Sequence, residues 1–267
     1  MVINTNMAAI TSANNLDKST NELNESLARL SSGSKIVNPS DDPAGLAESI
    51  ALNAQISQTS AANSNVSNAI SFLQTQDGYL QQVGSALDQM AQLAVESQDA
   101  TKTDAERADY QKEFGTLAGY ITDTGNKNFN GVSLFAGGTL AVTTDGTGDT
   151  FNMNGIDLGG AAYTAATAAD ISTTTTAVAA LTSVTAAIVQ LATDRATVGA
   201  NEERLTYTGD ELGVLQDNLT AANSQLTDVD VATESTKYAE YQILVQSGTS
   251  MLAQANTNPQ TVLKLLQ

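Results

Sequence analysis

The run Asp145-Gly146-Thr147-Gly148-Asp149 is the closest approach to a metal-binding motif in the chain. Calcium sites are built from carboxylate and carbonyl oxygens, and this run offers two carboxylates on a short glycine-rich segment. It lacks the ligand spacing of a calcium loop and the glutamate that completes one. The sequence therefore predicts a turn between β-strands here, rather than an ion site.

The chain contains no cysteine and no histidine. Zinc and haem sites of the usual kind depend on these side chains, and histidine is also the commonest general acid–base group in enzymes. Carboxylates and lysines could still act in catalysis, but most enzyme classes are excluded. We therefore predict a protein that is not an enzyme and that holds no metal and no cofactor.

The charge balance and the apolar content limit the partners. The chain of 267 residues has 29 acidic and 11 basic residues and a formal net charge of −18. Nucleic acid is not an expected partner, because no excess of cations is available to displace its counterions. No uninterrupted apolar run approaches the roughly 20 residues that cross a bilayer, so no membrane span is expected. Residues 1–6 have neither the basic nor the apolar region of a secretory signal, so we expect export to use another route.

Two long stretches with apolar residues in heptad-like spacing indicate extended helices. The first is predicted to begin at Pro43, which fits the first turn of a helix, and to run to about Ser97. The second occupies about residues 181–226, where Arg195 and Glu202 interrupt the apolar seam.

The part of the chain between these helices mixes structure types. A shorter helix is predicted over about residues 104–124. The Asn130-Gly131 turn and several short β-prone pieces up to residue 158 then predict one or two β-hairpins. Residues 159–180 are rich in alanine and threonine and are predicted to form a surface excursion.

Both ends of the chain are predicted to be helices whose apolar residues recur in steps of three or four, which is the narrow seam of a coiled coil. The first helix ends at Gly33, and a break at residues 227–230 precedes the last helix, which Asn258-Pro259 interrupts. A two-helix interface buries little apolar area, so each helix is expected to need the other and neighbouring copies of the chain. The alternative is a monomeric helical bundle with frayed ends.

The predicted fold is therefore mainly α. We expect an elongated rod of long antiparallel helices, with coiled-coil-like terminal helices and a small β-hairpin region in the middle. Both chain ends would lie together.

Several motifs resemble those of the bacterial flagellins. The resemblance covers about residues 1–135 and 180–267 in the order of the family, and the middle has no match, as expected for the region that varies among flagellins. The motifs are Val-Ile-Asn-Thr-Asn at residues 2–6, Leu-Ala-Arg-Leu-Ser-Ser-Gly at 27–33, Asp-Asp-Pro-Ala-Gly at 41–45, Phe-Asn-Gly-Val at 129–132, the tail at 246–256, Pro-Gln at 259–260 and Val-Leu-Lys-Leu-Leu at 262–266.

The resemblance implies a secreted structural subunit that self-assembles through paired terminal helices into the extracellular flagellar filament used for motility. It implies export by the flagellum's own type III pathway, and an export chaperone, junction proteins and cap proteins as partners. Residues 1–43 and 227–267 would form the inner core domain. Residues 44–226 would form the outer helical domain, with a β-rich, variable insertion at about 130–179.

The leucine-rich seams of the terminal helices are the candidate polymerisation interface. Purely intramolecular packing is the alternative, and both roles can hold at once. The candidate residues are Leu16, Leu23, Leu27, Leu30, Leu244, Met251, Leu252, Val262, Leu263, Leu265 and Leu266.

The resemblance also points to a face that the flagellin-sensing Toll-like receptor of vertebrates reads in many flagellins. Residues 88–95 match that stretch, and Leu93 and Glu113 align with contact residues of the family. Gln89 stands where stimulatory members carry arginine, whose charged bidentate donor a glutamine cannot reproduce. We therefore predict weak receptor recognition. An ordinary packing face is the alternative.

Other functions fit the sequence less well. A hook–filament junction protein is the nearest alternative, because such proteins resemble flagellins at both termini, but the run at residues 262–266 favours a flagellin. Some flagellins carry a metallopeptidase marked by His-Glu-x-x-His in the variable region, and a chain without histidine excludes that activity. A helical adhesin or secreted effector would leave the terminal motifs unexplained.

Overall fold

The computed structural model describes the backbone of residues 5–265 and the side chains of residues 5–257. Within these residues the chain is mainly α with two small antiparallel hairpins, which confirms the predicted fold class. The elements are α1 (Met7–Ser32), α2 (Pro43–Ser97), α3 (Asp104–Gly125), β1 (Asn128–Phe129), β2 (Val132–Ser133), β3 (Leu140–Thr143), β4 (Thr150–Met153), α4 (Ala161–Thr167), α5 (Thr174–Thr227) and α6 (Val231–Leu265).

The chain divides into two compact units. The terminal unit contains Met1–Ile56 and Asn218–Gln267, and the central unit contains Ser57–Asp217. Nearly all buried apolar side chains belong to the central unit. In the described part of the terminal unit, Ala255 is the one buried hydrophobic residue. The hydrophobic core of the protein is therefore the core of the central unit.

In the central unit, α2 and α5 run antiparallel. Gln98 Nε2 donates to the Ala177 carbonyl at 3.4 Å, whereas Gln74, earlier in α2, donates to Glu202, later in α5, at 2.8 Å. Most buried apolar residues on both helices recur at steps of three, four or seven, which is the spacing that makes a continuous helix–helix seam. They include Val66, Leu73, Leu80, Val83, Leu87 and Met90 of α2 and Val184, Leu191, Val198, Leu205 and Leu212 of α5.

The hairpins form where the turn chemistry predicted them. Asn130 and Gly131 have φ values of 50° and 83°, and they join β1 to β2. Positive φ at both central residues is the requirement of the tightest hairpin turn, and Asn-Gly meets it at low cost. Phe129 packs edge-on against Phe72 of α2, with ring centroids 5.9 Å apart, and so fixes this hairpin to the core.

The structure contradicts two predictions about local order. Residues 159–180 are not a surface excursion, because they contain α4 and the start of α5, and Tyr163 and Ile171 are buried in the core. Because alanine and threonine predominate in this segment, the sequence pattern did not indicate that these two side chains would be buried. The predicted interruption at Asn258-Pro259 was also wrong, since α6 extends to Leu265. A proline removes a single backbone donor and can bend a helix without ending it.

Candidate functional site

Helices α1 and α6 of the terminal unit pack against each other in antiparallel orientation. Near one end, Asn6 Nδ2 donates to the carbonyl of Ala255 at 2.8 Å. Near the other end, Ser26 Oγ donates to the carbonyl of Glu234 at 3.4 Å. The two backbones come close between these points, because α6 has a glycine, Gly248, where it faces α1.

The segments that connect this pair to the rest of the chain also bind each other. α1 ends at Gly33, whose φ of 70° is the left-handed conformation that glycine adopts most easily. The chain then forms a short antiparallel bridge, in which the Lys35 amide donates to the Thr227 carbonyl at 2.6 Å and the Val229 amide to the Gly33 carbonyl at 3.0 Å. The end of α1 and the start of α6 are thereby held together.

Asp230 caps the first turn of α6. Its Oδ1 accepts the backbone amides of Ala232 and Thr233 at 3.0 and 3.3 Å, and its Oδ2 accepts the Thr233 hydroxyl at 2.8 Å. The hydroxyl of Thr233, followed by these amides, holds the pKa of Asp230 below its ordinary value of 3.8. These contacts satisfy donors that the first turn of a helix leaves free.

The candidate polymerisation residues are only partly covered within the terminal unit. Leu27, Leu244 and Met251 are exposed, at 49%, 44% and 60% of their surface. The remaining four whose side chains are described are half-buried, and the rest lie outside the described side chains. The half-buried residues are Leu16, Leu23, Leu30 and Leu252, and the undescribed ones are Val262, Leu263, Leu265 and Leu266.

Sequence reasoning missed further exposed apolar residues on the same two helices. Met7 and Ile10 of α1 and Ile243 of α6 are exposed. Met7 and Ile10 belong to the predicted seam of α1, and that membership was a signal that could have added them to the candidate set. Ile243 lies beside Leu244 and off the seam, so heptad spacing gave no reason to select it.

The most buried side chains between α1 and α6 are polar. Ser26 is 1% exposed and Glu234 is 4% exposed. Glu234 Oε1 lies 4.0 Å from Arg29 Nη1, and Glu234 Oε2 lies 3.4 Å from Lys237 Nζ. Arg29 also pairs with Glu25 of its own helix. Sequence analysis named none of these residues as a site, although Arg29 lies within the motif at residues 27–33.

The three residues of the predicted receptor face lie in the central unit and differ in exposure. Gln89 of α2 and Glu113 of α3 are exposed. Leu93 is only 7% exposed and packs in the hydrophobic core. A receptor could therefore reach Gln89 and Glu113 directly, but not most of Leu93.

The run at residues 145–149 forms the turn between β3 and β4. Asp145 Oδ1 accepts the backbone amides of Thr147, Gly148 and Asp149 at 2.7–3.0 Å, so this carboxylate is already used in folding the loop. The Thr147 hydroxyl, followed by these amides, lowers the pKa of Asp145. Across the described residues there is no group of three acidic side chains placed to hold a metal ion.

Helix α5 is long and apolar enough to cross a membrane by length and composition. It contains an 18-residue window with a mean hydropathy of 1.6, of which 28% is buried. This apolar character was not expected, because alanine and threonine separate the larger side chains. Val184 and Leu191 of α5 pack in the central core, and we therefore assign α5 to that core.

Both terminal regions of the chain match models of known protein families. Residues 3–139 match the family model for the bacterial flagellin N-terminal helical region, and residues 181–266 match that for the C-terminal helical region. The chain is 34% identical to a flagellin of Halalkalibacterium halodurans over 278 residues, covering 100% of both chains. It is 33% identical to the flagellar filament 33 kDa core protein of Treponema phagedenis, again over 100% of both chains.

Solved structures agree in fold. The crystal structure of Bacillus cereus flagellin matches with a TM-score of 0.50 and 25% identity, over 56% of this chain and 88% of that chain. A putative flagellar hook-associated protein from Vibrio parahaemolyticus matches with a TM-score of 0.63 over 70% of this chain and 100% of that one, but at 16% identity this likeness shows the fold alone. The full-length relatives are filament proteins, so the junction-protein alternative is not favoured.

Proposed function

Because the chain belongs to the bacterial flagellins, the structural subunits of the flagellar filament, we propose that it polymerises through the leucine-rich faces of its two terminal helices. The proposed interface comprises the eleven candidate residues given above. Exposed Met7, Ile10 and Ile243 of the same helices belong with it.

One observation carries this proposal: the described terminal unit has apolar seams but almost no apolar core. Leu27, Leu244 and Met251 remain exposed although α1 and α6 already pack together. Covering a side chain of this size contributes roughly 1.5–3 kcal/mol. Contiguous exposed apolar residues on a protein surface are typical of interaction sites.

The arrangement in the filament follows from the same proposal. Residues 1–43 and 227–267 form the inner core domain, and residues 44–226 form the outer helical domain. The variable insertion at about 130–179 lies in the outer domain. In support, the two matched family regions leave residues 140–180 between them, which overlaps most of the insertion.

Export and partner proteins complete the proposal. The subunit leaves the cell through the flagellar type III pathway, and an export chaperone, junction proteins and cap proteins act before or during assembly. The exposed leucines support a chaperone, because a subunit with uncovered apolar seams at high concentration would associate prematurely.

Polymerisation of a double variant tests the interface. Leu27→Asn with Met251→Gln removes two exposed apolar side chains and changes no charge. We expect the critical concentration for filament growth to rise at least about tenfold, since 1.4 kcal/mol corresponds to a factor of ten. Sedimentation of seeded assembly reactions measures this concentration.

The matched control is Asn24→Gln with Gln254→Asn, which alters two exposed polar positions on the same helices. It should polymerise like the unaltered protein. Thermal unfolding of all three proteins should agree, because the altered side chains are already exposed in the monomer. An unchanged critical concentration for the double variant would show that these faces do not form the interface.

We also propose that the vertebrate receptor recognises this chain weakly. The exposed Gln89 supports this, because it offers no charged donor, and so does the burial of Leu93. Gln89→Arg should raise the response of receptor-expressing cells to purified monomer, whereas the neighbouring Gln92→Arg should not. A strong response to the unaltered monomer would refute the proposal.

A further inference from the structure

The α1–α6 interface is unusual because its best-buried contacts are polar. Leucine seams of nearly uniform spacing can pair in several registers that differ by one helical turn, and partly covered leucines discriminate weakly between them. In coiled coils, a single buried polar group often selects one register at some cost in stability. Ser26 and Glu234 occupy such buried positions here.

Two polar contacts at opposite ends of the interface are both formed in the same alignment of α1 with α6. The Asn6–Ala255 and Ser26–Glu234 hydrogen bonds are separated by twenty residues on α1 and twenty-one on α6. This spacing corresponds to about 30 Å of helix. Both acceptors are backbone carbonyls, which every turn of α6 offers, so these two contacts record the alignment of the helices and the side chains near Arg29 must select it.

The charges around Arg29 penalise displacement of α6 in both directions. Glu234 is nearly buried and lies 4.0 Å from the Arg29 guanidinium. A shift of α6 by three residues would replace Glu234 with Lys237 and bring two cations together. A shift in the opposite direction would place uncharged Val231 beside Arg29 and leave the nearly buried Glu234 with Lys237 of its own helix as its one cationic partner among those described here, and a buried charge with fewer partners is costly.

The cluster around Arg29 and Glu234 should contribute little to the stability of the α1–α6 pair. Arg29 Nε is buried and has no hydrogen-bond partner among the described residues. A buried ionic network with an unsatisfied atom is commonly no more stable than an apolar contact of the same size. We therefore assign to the cluster a role in selecting the alignment of α1 with α6.

We propose that Arg29 and Glu234 form a register lock that selects the native alignment of α1 with α6. The lock acts within one chain. It rests on the proposed function only in its consequence: a pair one turn out of register would present its leucines to the next subunit displaced by about 5 Å.

Introduced cysteines report the register, since the chain has none of its own. A Cβ at Gly248 would lie 3.5 Å from Leu16 Cβ, which fits the 3.5–4.5 Å range of disulfides. Leu16→Cys with Gly248→Cys therefore reports the native register. Leu16→Cys with Val245→Cys or with Leu252→Cys reports displacements of about one turn in either direction. Cross-linking is measured by gel mobility after mild oxidation of filaments in which a small fraction of variant subunits is co-assembled with unaltered protein, so that disulfides form within one chain.

With Arg29 and Glu234 unchanged, the 16–248 pair should cross-link at least about tenfold faster than either displaced pair. Arg29→Met with Glu234→Gln removes both charges at similar volume, and this preference should fall about tenfold. Arg29→Lys keeps the charge and should retain most of the preference. Arg29→Glu attracts Lys237 and repels Glu234, so it should raise cross-linking of the 16–252 pair and not of the 16–245 pair.

The proposal fails if the neutral variant keeps the native preference. It also fails if Arg29→Glu raises both displaced pairs equally, or if all three cross-links are lost together, since the cluster would then only stabilise the pair. Because unaltered subunits build the filament and the measurement compares disulfides within one chain, its outcome is independent of whether the leucine faces form the filament interface.

Discussion

Arg195 of α5 holds Asp77 of α2 with two parallel hydrogen bonds, Nε to Oδ1 at 2.8 Å and Nη2 to Oδ2 at 3.1 Å. Both residues occupy positions in the apolar seams of their helices. The Arg195 hydrogen bond lowers the pKa of Asp77 and raises that of Arg195. A charged pair at this point fixes the alignment of the two long helices without burying either charge fully.

Asp77→Asn should destabilise the central unit at neutral pH. The lost charge-assisted contact is partly exposed, so we expect the free energy of unfolding to fall by about 1 kcal/mol. Because the folded pKa of Asp77 lies below its ordinary value of 3.8, its contribution is present above that pH and is lost as the pH falls through it. Urea denaturation at pH 7 and at about pH 2 measures both effects. Asp88→Asn, the same change at an exposed position of α2, is the control, and equal losses for the two variants would contradict the prediction.

Tyr163→Phe tests how α4 is attached to α5. The Tyr163 hydroxyl donates to Asp194 Oδ2 at 2.6 Å, and Gln190 Nε2 donates to Oδ1 at 2.9 Å. Burial, reinforced by the hydrogen bond to Asp194, raises the pKa of Tyr163 far above its ordinary range. Removing the hydroxyl leaves a buried carboxylate with one donor fewer, which should cost about 1–3 kcal/mol of unfolding free energy. Tyr207→Phe, at an exposed tyrosine, should cost almost nothing, and equal stability of the two variants would be the contrary result.

Asp230→Asn should alter the acid sensitivity of α6. The depressed pKa of Asp230 means that its cap is intact above its ordinary value of 3.8 and weakens as the pH falls below it. Asparagine caps helices about as well as aspartate and does not titrate in this range. The protection factors of the amides of residues 231–235, which are exchange rates corrected for the intrinsic effect of pH, should therefore fall in acid for the unaltered protein and stay nearly constant for the variant. Identical pH profiles would show that the cap does not control this turn.

Leu16→Cys with Gly248→Cys should polymerise equally well when oxidised and when reduced. The disulfide fixes α1 to α6 within one chain at Leu16, which already packs on Gly248, and it leaves the exposed Leu27, Leu244 and Met251 of the proposed interface unaltered. Electron microscopy of seeded filaments, with and without reductant, checks this. Loss of filaments only in the oxidised protein would mean that the terminal helices exchange partners between copies during growth.

The fold was predictable from the sequence where local chemistry is decisive. Pro43 marks the start of α2, Gly33 the end of α1 and Asn130-Gly131 the first hairpin, because each of these residues restricts its own backbone. Residues 159–180 were misjudged, because Tyr163 and Ile171 are the large side chains buried there and the other buried apolar residues are alanines, such as Ala166 and Ala177, which gave no apolar signal.

Contacts between distant residues were not predictable in the same way. Arg195 was recognised as an interruption of a seam, but its partner Asp77 lies 118 positions away in the sequence. The leucine seams of the terminal helices were correctly located on helices, and their role in polymerisation stays a prediction. The buried pairing of Arg29 with Glu234 was missed, since apolar periodicity gives no weight to a charged residue.

Apolar burial is concentrated in the central unit, so the stability of the folded subunit depends on that unit. The proposed association depends instead on the terminal helices. Damage or acid that loosens α1 and α6 would leave the central unit folded, and the subunit could then regain its terminal helices. In the proposed filament, in contrast, the terminal helices gain most of their apolar cover from their neighbours, so we expect their persistence to depend on how much protein is present. A shed subunit should therefore be trimmed by proteases from its ends inward, whereas the same residues within a filament should resist cleavage.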